Sequence, residues 1–125
     1  MFEENINVKI MRLASRIIKG LITQVGTDNP TIVYLQNDFQ DTFTCTRATT
    51  GLYNLVMGNH FLENRTWLQI GGQLENRATA TAEIERRLDN TLRVYTFDSD
   101  VAADGILNNT SFEVECFCDC LEETE

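Results

Sequence analysis

Short runs in which apolar and polar residues alternate fill most of this chain, and turn-forming residues separate the runs. Alternation with a period of two is typical of a β-strand that buries one face. The runs predict strands at positions 16–25, 31–36, 42–47, 52–57, 65–70, 77–86, 91–97 and 110–120. Strands at intervals of roughly ten to twelve residues, with turns between them, predict an all-β fold, an antiparallel β-sandwich or barrel of about eight strands.

The turn signals lie where the alternation stops. The strongest is Gly26–Pro30, in which glycine, aspartate, asparagine and proline each favour a turn for a different physical reason. Asn37–Asp41, Thr50–Gly51 and Asp89–Asn90 are predicted turns as well. Residues 98–109 are rich in polar side chains, and we expect them to form a solvated loop.

The run at positions 31–36 differs from the others because it is apolar on both faces. Ile32 and Tyr34 fall on one face, and Val33 and Leu35 fall on the other. A strand with this pattern is buried on both sides. We therefore expect this strand either at the centre of a sheet or at a contact with another subunit, with Ile32 and Tyr34 as candidate interaction residues.

Residues 1–14 precede the strand pattern and predict a short N-terminal arm. Four apolar residues of this arm recur at helical spacing: Phe2, Ile6, Ile10 and Leu13. Ile6, Val8 and Ile10 instead alternate as in a strand, so the pattern leaves both conformations open. It leaves two roles open as well. The segment is either a first element packed on the domain, or an apolar arm that docks on another subunit or a larger assembly through those four residues.

Length and composition predict one folded domain. A chain of 125 residues with 42% hydrophobic residues can bury a core without the help of disulfides or a metal ion. We assign residues 15–121 to the β-sandwich domain and residues 122–125 to an acidic tail.

The charge of the chain disfavours some partners. A formal net charge of −9 at pH 7 argues against nucleic acid, whose phosphates are bound by lysine and arginine. No apolar segment approaches the roughly 20 residues of a membrane span, and Glu3 and Glu4 stand where a signal peptide would have basic residues. We therefore expect neither a nucleic acid nor a membrane partner, and synthesis in a reducing cytosol where four cysteines do not imply disulfides.

Cys116, Cys118 and Cys120 together suggest a metal or redox motif. On a strand, however, they continue the apolar face of the last predicted strand and act as small core residues. Side chains two positions apart on a strand are roughly 6–7 Å apart, too far to share one tetrahedral ion unless the strand bends. Core thiols are therefore favoured over a metal site that includes Cys45 and over a disulfide, and we expect no cofactor.

Three further patterns suggest chemistry but lack its other parts. Asp98–Asn109 departs from the EF-hand calcium template, since Ala102 occupies the fifth position. Gly71–Gln73 contains the Gly-Gly-Gln tripeptide of translation release factors without a basic, helix-flanked setting. His60 is the only histidine, and no nucleophile motif accompanies it. We therefore predict that the chain is not an enzyme.

Aromatic residues offer an alternative function, a carbohydrate- or ligand-binding β module. The candidates are Tyr34, Tyr53, Trp67 and Tyr95. Tyrosine and tryptophan are common at interfaces, and Trp67 with Tyr53 or Tyr95 would form a stacking platform for a ligand. The competing interpretation of the same residues is core packing.

Several short motifs in the first half of the chain resemble those of one protein family. They are Thr23–Pro30, which reads Thr-Gln-Val-Gly-Thr-Asp-Asn-Pro, followed by Asn37, Phe43–Arg47, Gly51–Tyr53, Phe61 and Asn64–Thr66. In these motifs the chain resembles small β-sandwich structural proteins of phages that infect Bacteroides and related bacteria, including the crAss-like phages. The resemblance covers about residues 16–70. The extended N-terminus and the cysteine-rich last strand depart from the family pattern.

The resemblance implies a virion structural component, such as a head-fibre, auxiliary capsid or tail-associated protein. Its partners would be other virion proteins, which are capsid or fibre subunits, and copies of itself, with a trimer favoured. The protein would be made in the bacterial host cytoplasm and would then reside in the virion. Within that setting, the N-terminal arm would attach the protein to the particle and the β domain would be the exposed body.

Overall fold

The computed structural model describes residues 13–121 of the chain. Nine strands lie in this range: β1 (Leu13–Thr23), β2 (Thr31–Asn37), β3 (Thr44–Thr49), β4 (Leu52–Val56), β5 (Thr66–Gly71), β6 (Ala80–Leu88), β7 (Thr91–Asp98), β8 (Val101–Ala102) and β9 (Thr110–Leu121). This part of the chain contains no helix that is long and apolar enough to cross a membrane. The arm residues Phe2, Ile6 and Ile10 and the predicted acidic tail, 122–125, lie outside the described residues.

Two antiparallel sheets form the domain. Sheet A has the strand order β2-β1-β9-β5, and sheet B has the order β3-β4-β7-β6, with β8 paired to the end of β7. Their inner faces pack on each other and enclose one hydrophobic cluster. The predicted all-β fold and antiparallel β-sandwich are confirmed.

The first and last strands form the longest ladder of sheet A. Leu13 pairs with Leu121 at one end of this ladder, and Ile22 pairs with Thr110 at the other. Leu13, predicted as an arm residue, therefore belongs to β1. Because β1 and β9 are antiparallel, the first and last described residues lie at the same end of sheet A.

The core consists of side chains that point inward from both sheets. Its buried members include Ile18, Ile22, Phe112, Val114 and Cys116 from sheet A and Tyr53, Leu55, Leu92 and Val94 from sheet B. Phe61, predicted as a core residue at the end of a loop, is fully buried and stacks on Phe43 with 5.9 Å between ring centroids. Burying a large apolar side chain contributes roughly 1.5–3 kcal/mol, so this cluster is the main source of stability.

The central position predicted for strand 31–36 is wrong. β2 pairs only with β1 and lies at the edge of sheet A. Its alternate residues differ in environment: Ile32 and Tyr34 pack against the core, whereas Val33 and Leu35 are exposed. An apolar run thus occupies an edge strand with one solvent-facing side. The other alternative, a contact with another subunit, stays a prediction.

The segment 98–109 is not the solvated loop that its composition predicts. It contains β8, and Ile106 and Leu107 are buried. Leu107 forms an isolated bridge with Leu74, and its carbonyl accepts a hydrogen bond from the Gln24 N–H. Part of this segment is therefore buried within the domain.

Candidate interaction surface

The outer face of sheet A carries four of the eight exposed large apolar side chains of the described residues. They are Val33 and Leu35 on β2, Trp67 on β5 and Phe117 on β9. Val33 and Leu35 are 57% and 66% exposed. Each of these residues lies at an outward-facing position, one residue away from a residue that faces the core. We call this surface the outer face of sheet A.

The register of sheet A places some of these residues side by side. Val33 on β2 pairs with Leu21 on β1, so two apolar side chains are neighbours across the strands. Trp67 on β5 lies opposite Glu115 on β9. The outer face of sheet A is therefore apolar toward β2 and mixed toward β5.

A groove of about 370 Å³ runs over the middle of this face. Leu35 lies on its wall toward β2, Gln69 lies on its wall toward β5, and Ser111 and Glu113 line it between them. Gly20 is needed here because a Cβ atom would come within 2.9 Å of both the Phe112 ring and the Val33 carbonyl. The groove itself is lined by the small Ser111 and by Gly71 and Gly72, which add no side chains to it.

The predicted interaction residues of β2 point away from this face. Ile32 and Tyr34 pack against the core, and the Tyr34 hydroxyl accepts a hydrogen bond of 2.8 Å from the Phe43 N–H. The exposed residues of the same strand are the intervening Val33 and Leu35. The interaction role of Ile32 and Tyr34 stays a prediction.

The outer face of sheet B has a different composition. Its edge strand β6 turns Thr81, Glu83 and Glu85 outward. The Tyr95 hydroxyl on β7 donates a hydrogen bond of 2.5 Å to Glu85, and Arg93 Nε donates one of 3.1 Å to the Asn54 side chain. Four polar side chains of this face are therefore paired with one another.

The proposed aromatic platform does not form. Tyr53 is 0% exposed and belongs to the core. Trp67 lies on the outer face of sheet A, whereas Tyr95 lies on the outer face of sheet B. A ligand could not stack on Trp67 and either tyrosine at once, so this site is wrong, and core packing is the correct interpretation for Tyr53.

Asp104 lies at the centre of a polar network that the sequence did not predict. Its Oδ1 atom accepts hydrogen bonds from the Tyr53 hydroxyl at 2.6 Å and from the Gly51 N–H at 2.9 Å. Its Oδ2 atom accepts from Arg47 Nε at 3.0 Å and from Arg47 Nη2 at 2.8 Å. The carboxylate therefore ties the β3–β4 hairpin to the segment before β9.

Gln24 extends this network to the turn after β1. Its side chain is only 1% exposed, and Nε2 donates to the carbonyls of Gly26 and Asp28 at 2.9 Å each. Oε1 accepts from the Gly105 N–H at 2.7 Å and lies 2.8 Å from the Tyr53 hydroxyl. Among the described residues, no buried side-chain nitrogen or oxygen lacks a hydrogen-bond partner. The network is complete without a ligand.

The environment of the network shifts the pKa values of its members. Burial raises the pKa of Tyr53, and the hydrogen bond to Asp104 raises it further. Burial also acts to raise the pKa of Asp104, but hydrogen bonds from Arg47, Gly51 and Tyr53 outweigh it, so that pKa lies below its ordinary value of 3.8. The network therefore favours a neutral tyrosine and an ionised aspartate.

The remaining candidates for chemistry lie apart from one another. Cys116 is buried in the core, as predicted, and Cys45 is partly buried; both are free thiols. The predictions for Cys118 and Cys120 stay predictions. His60 Nε2 lies 3.2 Å from Asp41 Oδ2. Within residues 13–121, no three His, Cys, Asp or Glu side chains are arranged so that they could hold a metal ion.

Comparison with known proteins identifies no relative of this chain. No family model matches the sequence, and neither a curated protein nor a solved structure is significantly similar to it. Interpretation of its function therefore depends on the residues described above.

Proposed function

We propose that this chain is a non-enzymatic structural protein of a tailed phage particle. In this role it is a head-fibre, auxiliary capsid or tail-associated component. Its N-terminal arm attaches it to neighbouring virion proteins, and the β-sandwich forms the body. Copies of the chain associate, with a trimer as the favoured assembly.

The observation that carries this proposal is the exposed apolar surface on sheet A. Val33 and Leu35 stand more than half exposed on an edge strand, and such residues gain stability only when a partner covers them. The β1–β9 ladder places Leu13, which follows residues 1–12, at one end of the same sheet. A structural protein that assembles through sheet A accounts for both features.

The polar interior of the domain supports a non-enzymatic role. The hydrogen bonds of Tyr53, Asp104 and Gln24 go to one another, to Arg47 and to the backbone. A catalytic group needs an atom that can reach a substrate. These residues instead fix loops, as expected for a scaffold.

Incorporation into particles tests the proposal. Gradient-purified virions of the phage that encodes the chain should contain it in multiple copies per particle, as measured by quantitative mass spectrometry. A non-structural protein from the same lysate is the control and should be removed by the gradient. Particles that lack the chain would contradict the proposal.

Deletion of residues 1–12 tests the role of the arm. The deletion leaves all nine described strands intact, so the truncated chain should keep the β-rich circular dichroism spectrum of the full chain. We expect it to be lost from purified particles when it replaces the full chain during infection. Incorporation at the normal level would show that attachment does not use the arm.

The groove on sheet A supports a second candidate, a carbohydrate- or ligand-binding module. Gln69, Ser111 and Glu113 supply hydrogen-bonding groups beside the apolar Leu35, which is a composition common in ligand sites. A glycan array probed with the purified chain tests this function. Binding that is lost in Gln69→Ala supports it, and an array without signal at high protein concentration rejects it.

A further inference from the structure

We propose that the groove on the outer face of sheet A binds a neutral saccharide chain, which lies across the strands and stacks one sugar ring on Trp67. Three polar side chains of the groove, Lys19, Gln69 and Glu113, form hydrogen bonds with the hydroxyl groups of that chain. This inference rests on the second candidate function, the ligand-binding module, and it names the ligand class and the binding residues. A place in a phage particle is compatible with it and is not required by it.

A row of polar side chains crosses the groove. Gln69 on β5 pairs with Glu113 on β9, and Glu113 pairs with Lys19 on β1. All three residues line the groove. Neighbouring strands are about 4.8 Å apart, so the row offers hydrogen-bonding groups over roughly 10 Å. The interval between these groups is close to the length of one sugar unit in an extended chain.

The polar side chains of this row are not used by the domain itself. Within residues 13–121, Lys19, Gln69 and Glu113 form no side-chain hydrogen bond or ion pair. On the outer face of sheet B, by contrast, Tyr95 and Arg93 are both bonded to neighbouring side chains. Glu113 can therefore accept hydrogen bonds from ligand hydroxyl groups, Lys19 can donate to them, and Gln69 can do both.

Gly71 keeps the groove open without a structural reason to be glycine. It is the last residue of β5 and pairs with Ser111, and a Cβ atom added to it would meet no other atom within 4 Å. Its backbone lies outside the left-handed region, whereas the adjacent Gly72 has a φ of 95°, which favours glycine. Glycine weakens a strand and often marks the close approach of a ligand. We assign that purpose to Gly71.

Trp67 supplies the apolar part of the site. It is the only tryptophan of the chain, and it is 47% exposed. It lies on the same face of β5 as Gln69, two residues away, which is roughly 6–7 Å, and it pairs with Glu115. An exposed indole ring stacks on the C–H face of a sugar, and polar groups beside it bond the hydroxyl groups at the sugar's edge. This arrangement needs no second aromatic residue, unlike a platform of Trp67 with a tyrosine.

The charge of this face favours an uncharged ligand. Glu113 and Glu115 outnumber Lys19 among the outward-facing residues of β1 and β9 beside the groove, and the whole chain has a formal net charge of −9. Saccharides that carry carboxylate or sulfate groups would be repelled. Neutral hydroxyl groups can bond the carboxylates and the ammonium group without that repulsion. An open groove across a sheet also leaves room for a chain that extends beyond it at both ends.

A glycan array followed by a titration tests the proposal. The array carries neutral and acidic glycans and is probed with the purified full-length chain. The neutral glycan with the strongest signal is then titrated in solution and followed by tryptophan fluorescence. Because Trp67 is the only tryptophan, its emission reports directly on this face. We expect a saturable change with the neutral chain and none with sialylated or sulfated chains at the same concentration.

Gly71→Leu is the sharpest variant for this titration. The added side chain enters open space, so the urea midpoint should stay unchanged, while the leucine fills the groove and should weaken binding at least tenfold. Glu113→Ala should weaken binding at least fivefold. Its matched control is Glu83→Ala, which removes an exposed glutamate from β6 in sheet B and should change binding by less than twofold. If Gly71→Leu lowers the urea midpoint, Glu113→Ala with its control decides the outcome.

Two results would overturn the inference. One is an array on which no neutral glycan binds. The other is a neutral glycan whose affinity is unchanged by Gly71→Leu and by Glu113→Ala, because such a ligand lies elsewhere on the domain. In that second case the ligand-binding function stands and the site fails, whereas an array without any signal removes both. The composition of purified virions tests the structural role separately, and neither result depends on it.

Discussion

β2 and the network around Asp104 lie in the same small domain, yet they differ in which side chains they bury. On β2, Val33 and Leu35 expose apolar surface that burial would stabilise. Around Asp104, Gln24 and Tyr53 bury polar groups that burial alone would destabilise, and each finds its hydrogen bonds within the chain. One region is complete within a single copy, whereas the other leaves apolar surface uncovered.

This difference separates residues that hold the fold together from residues that contact something else. Removing a member of a saturated network leaves its partners unsatisfied, so the cost appears in the stability of the isolated chain. Changing an exposed side chain on an edge strand alters few contacts in the isolated chain, so the effect appears in association. Stability and oligomer mass therefore report on different regions, and three predictions use them to test the comparison.

Asp104→Ala should cause the largest loss of stability. The carboxylate is the acceptor for three partners, Arg47, Gly51 and Tyr53, and its removal leaves buried donors unsatisfied, at a cost of about 2–3 kcal/mol in the free energy of unfolding. Urea unfolding measures the change. The milder variant Tyr53→Phe removes one hydroxyl and should cost about 1 kcal/mol. If Asp104→Ala is as stable as the wild type, the network does not hold the loops.

Alkaline pH should weaken the fold in a defined window. Burial raises the pKa of Cys45 from 9.0 to about 11, and burial also raises the pKa of Tyr53 above 10.0. Because both pKa values are higher in the folded chain, the contribution of Cys45 is complete below pH 9 and is lost as the pH rises through 11, and the contribution of Tyr53 is complete below pH 10 and declines above it. Urea midpoints at pH 8, 9, 10 and 11 measure this.

Cys45→Ala provides the control for this pH dependence. Without the Cys45 thiol, the loss of stability above pH 9 should be smaller but should not disappear, because burial also raises the pKa of Cys116 and Tyr53 starts to ionise in the unfolded chain near pH 10. Asp104 has the opposite pH dependence, because its pKa is lower in the folded chain. Its contribution to stability is present above pH 3.8 and is lost as the pH falls through the folded value. An unchanged urea midpoint between pH 8 and pH 11 would mean that these groups are not buried.

Leu35→Ala should have the smallest effect on the isolated chain. The side chain is mostly in solvent, so the free energy of unfolding should change by less than about 0.5 kcal/mol when it is measured at a concentration where the chain is monomeric. Leu55→Ala is the matched substitution in the core, where Leu55 is fully buried, and it should cost about 2–5 kcal/mol. A large effect of Leu35→Ala on the monomer would show that β2 is packed within the chain.

The strands could be predicted because alternation is a local property. Phe112, Val114 and Cys116 are buried as their spacing predicts, and the predicted runs recur as strands with small shifts of their ends. Only β8, which is two residues long, was missed. A strand of that length has too few positions to show a period.

Positions within a sheet were harder to predict, since they depend on which strands become neighbours. Val33 and Leu35 indicate an apolar outer side, but the same residue pattern is compatible with a central strand and with an edge strand that a partner covers. The Asp104 network was missed because Tyr53 is 51 residues away and Gln24 lies farther still. Asp104 stands beside Gly105 and Ile106 in a polar segment, and nothing in that local sequence distinguishes a buried carboxylate from a solvated one.

The pairing of β1 with β9 has a consequence for how the chain is made. Sheet A has β9 between β1 and β5, so its middle is missing until the final strand, Thr110–Leu121, has left the ribosome. Contacts that join the two ends of a chain form slowly, because a long loop must close first. The apolar residues of the β1–β2 hairpin therefore stay uncovered while the segments up to β9 are synthesised. Folding of this domain is therefore completed only when β9 can insert between β1 and β5.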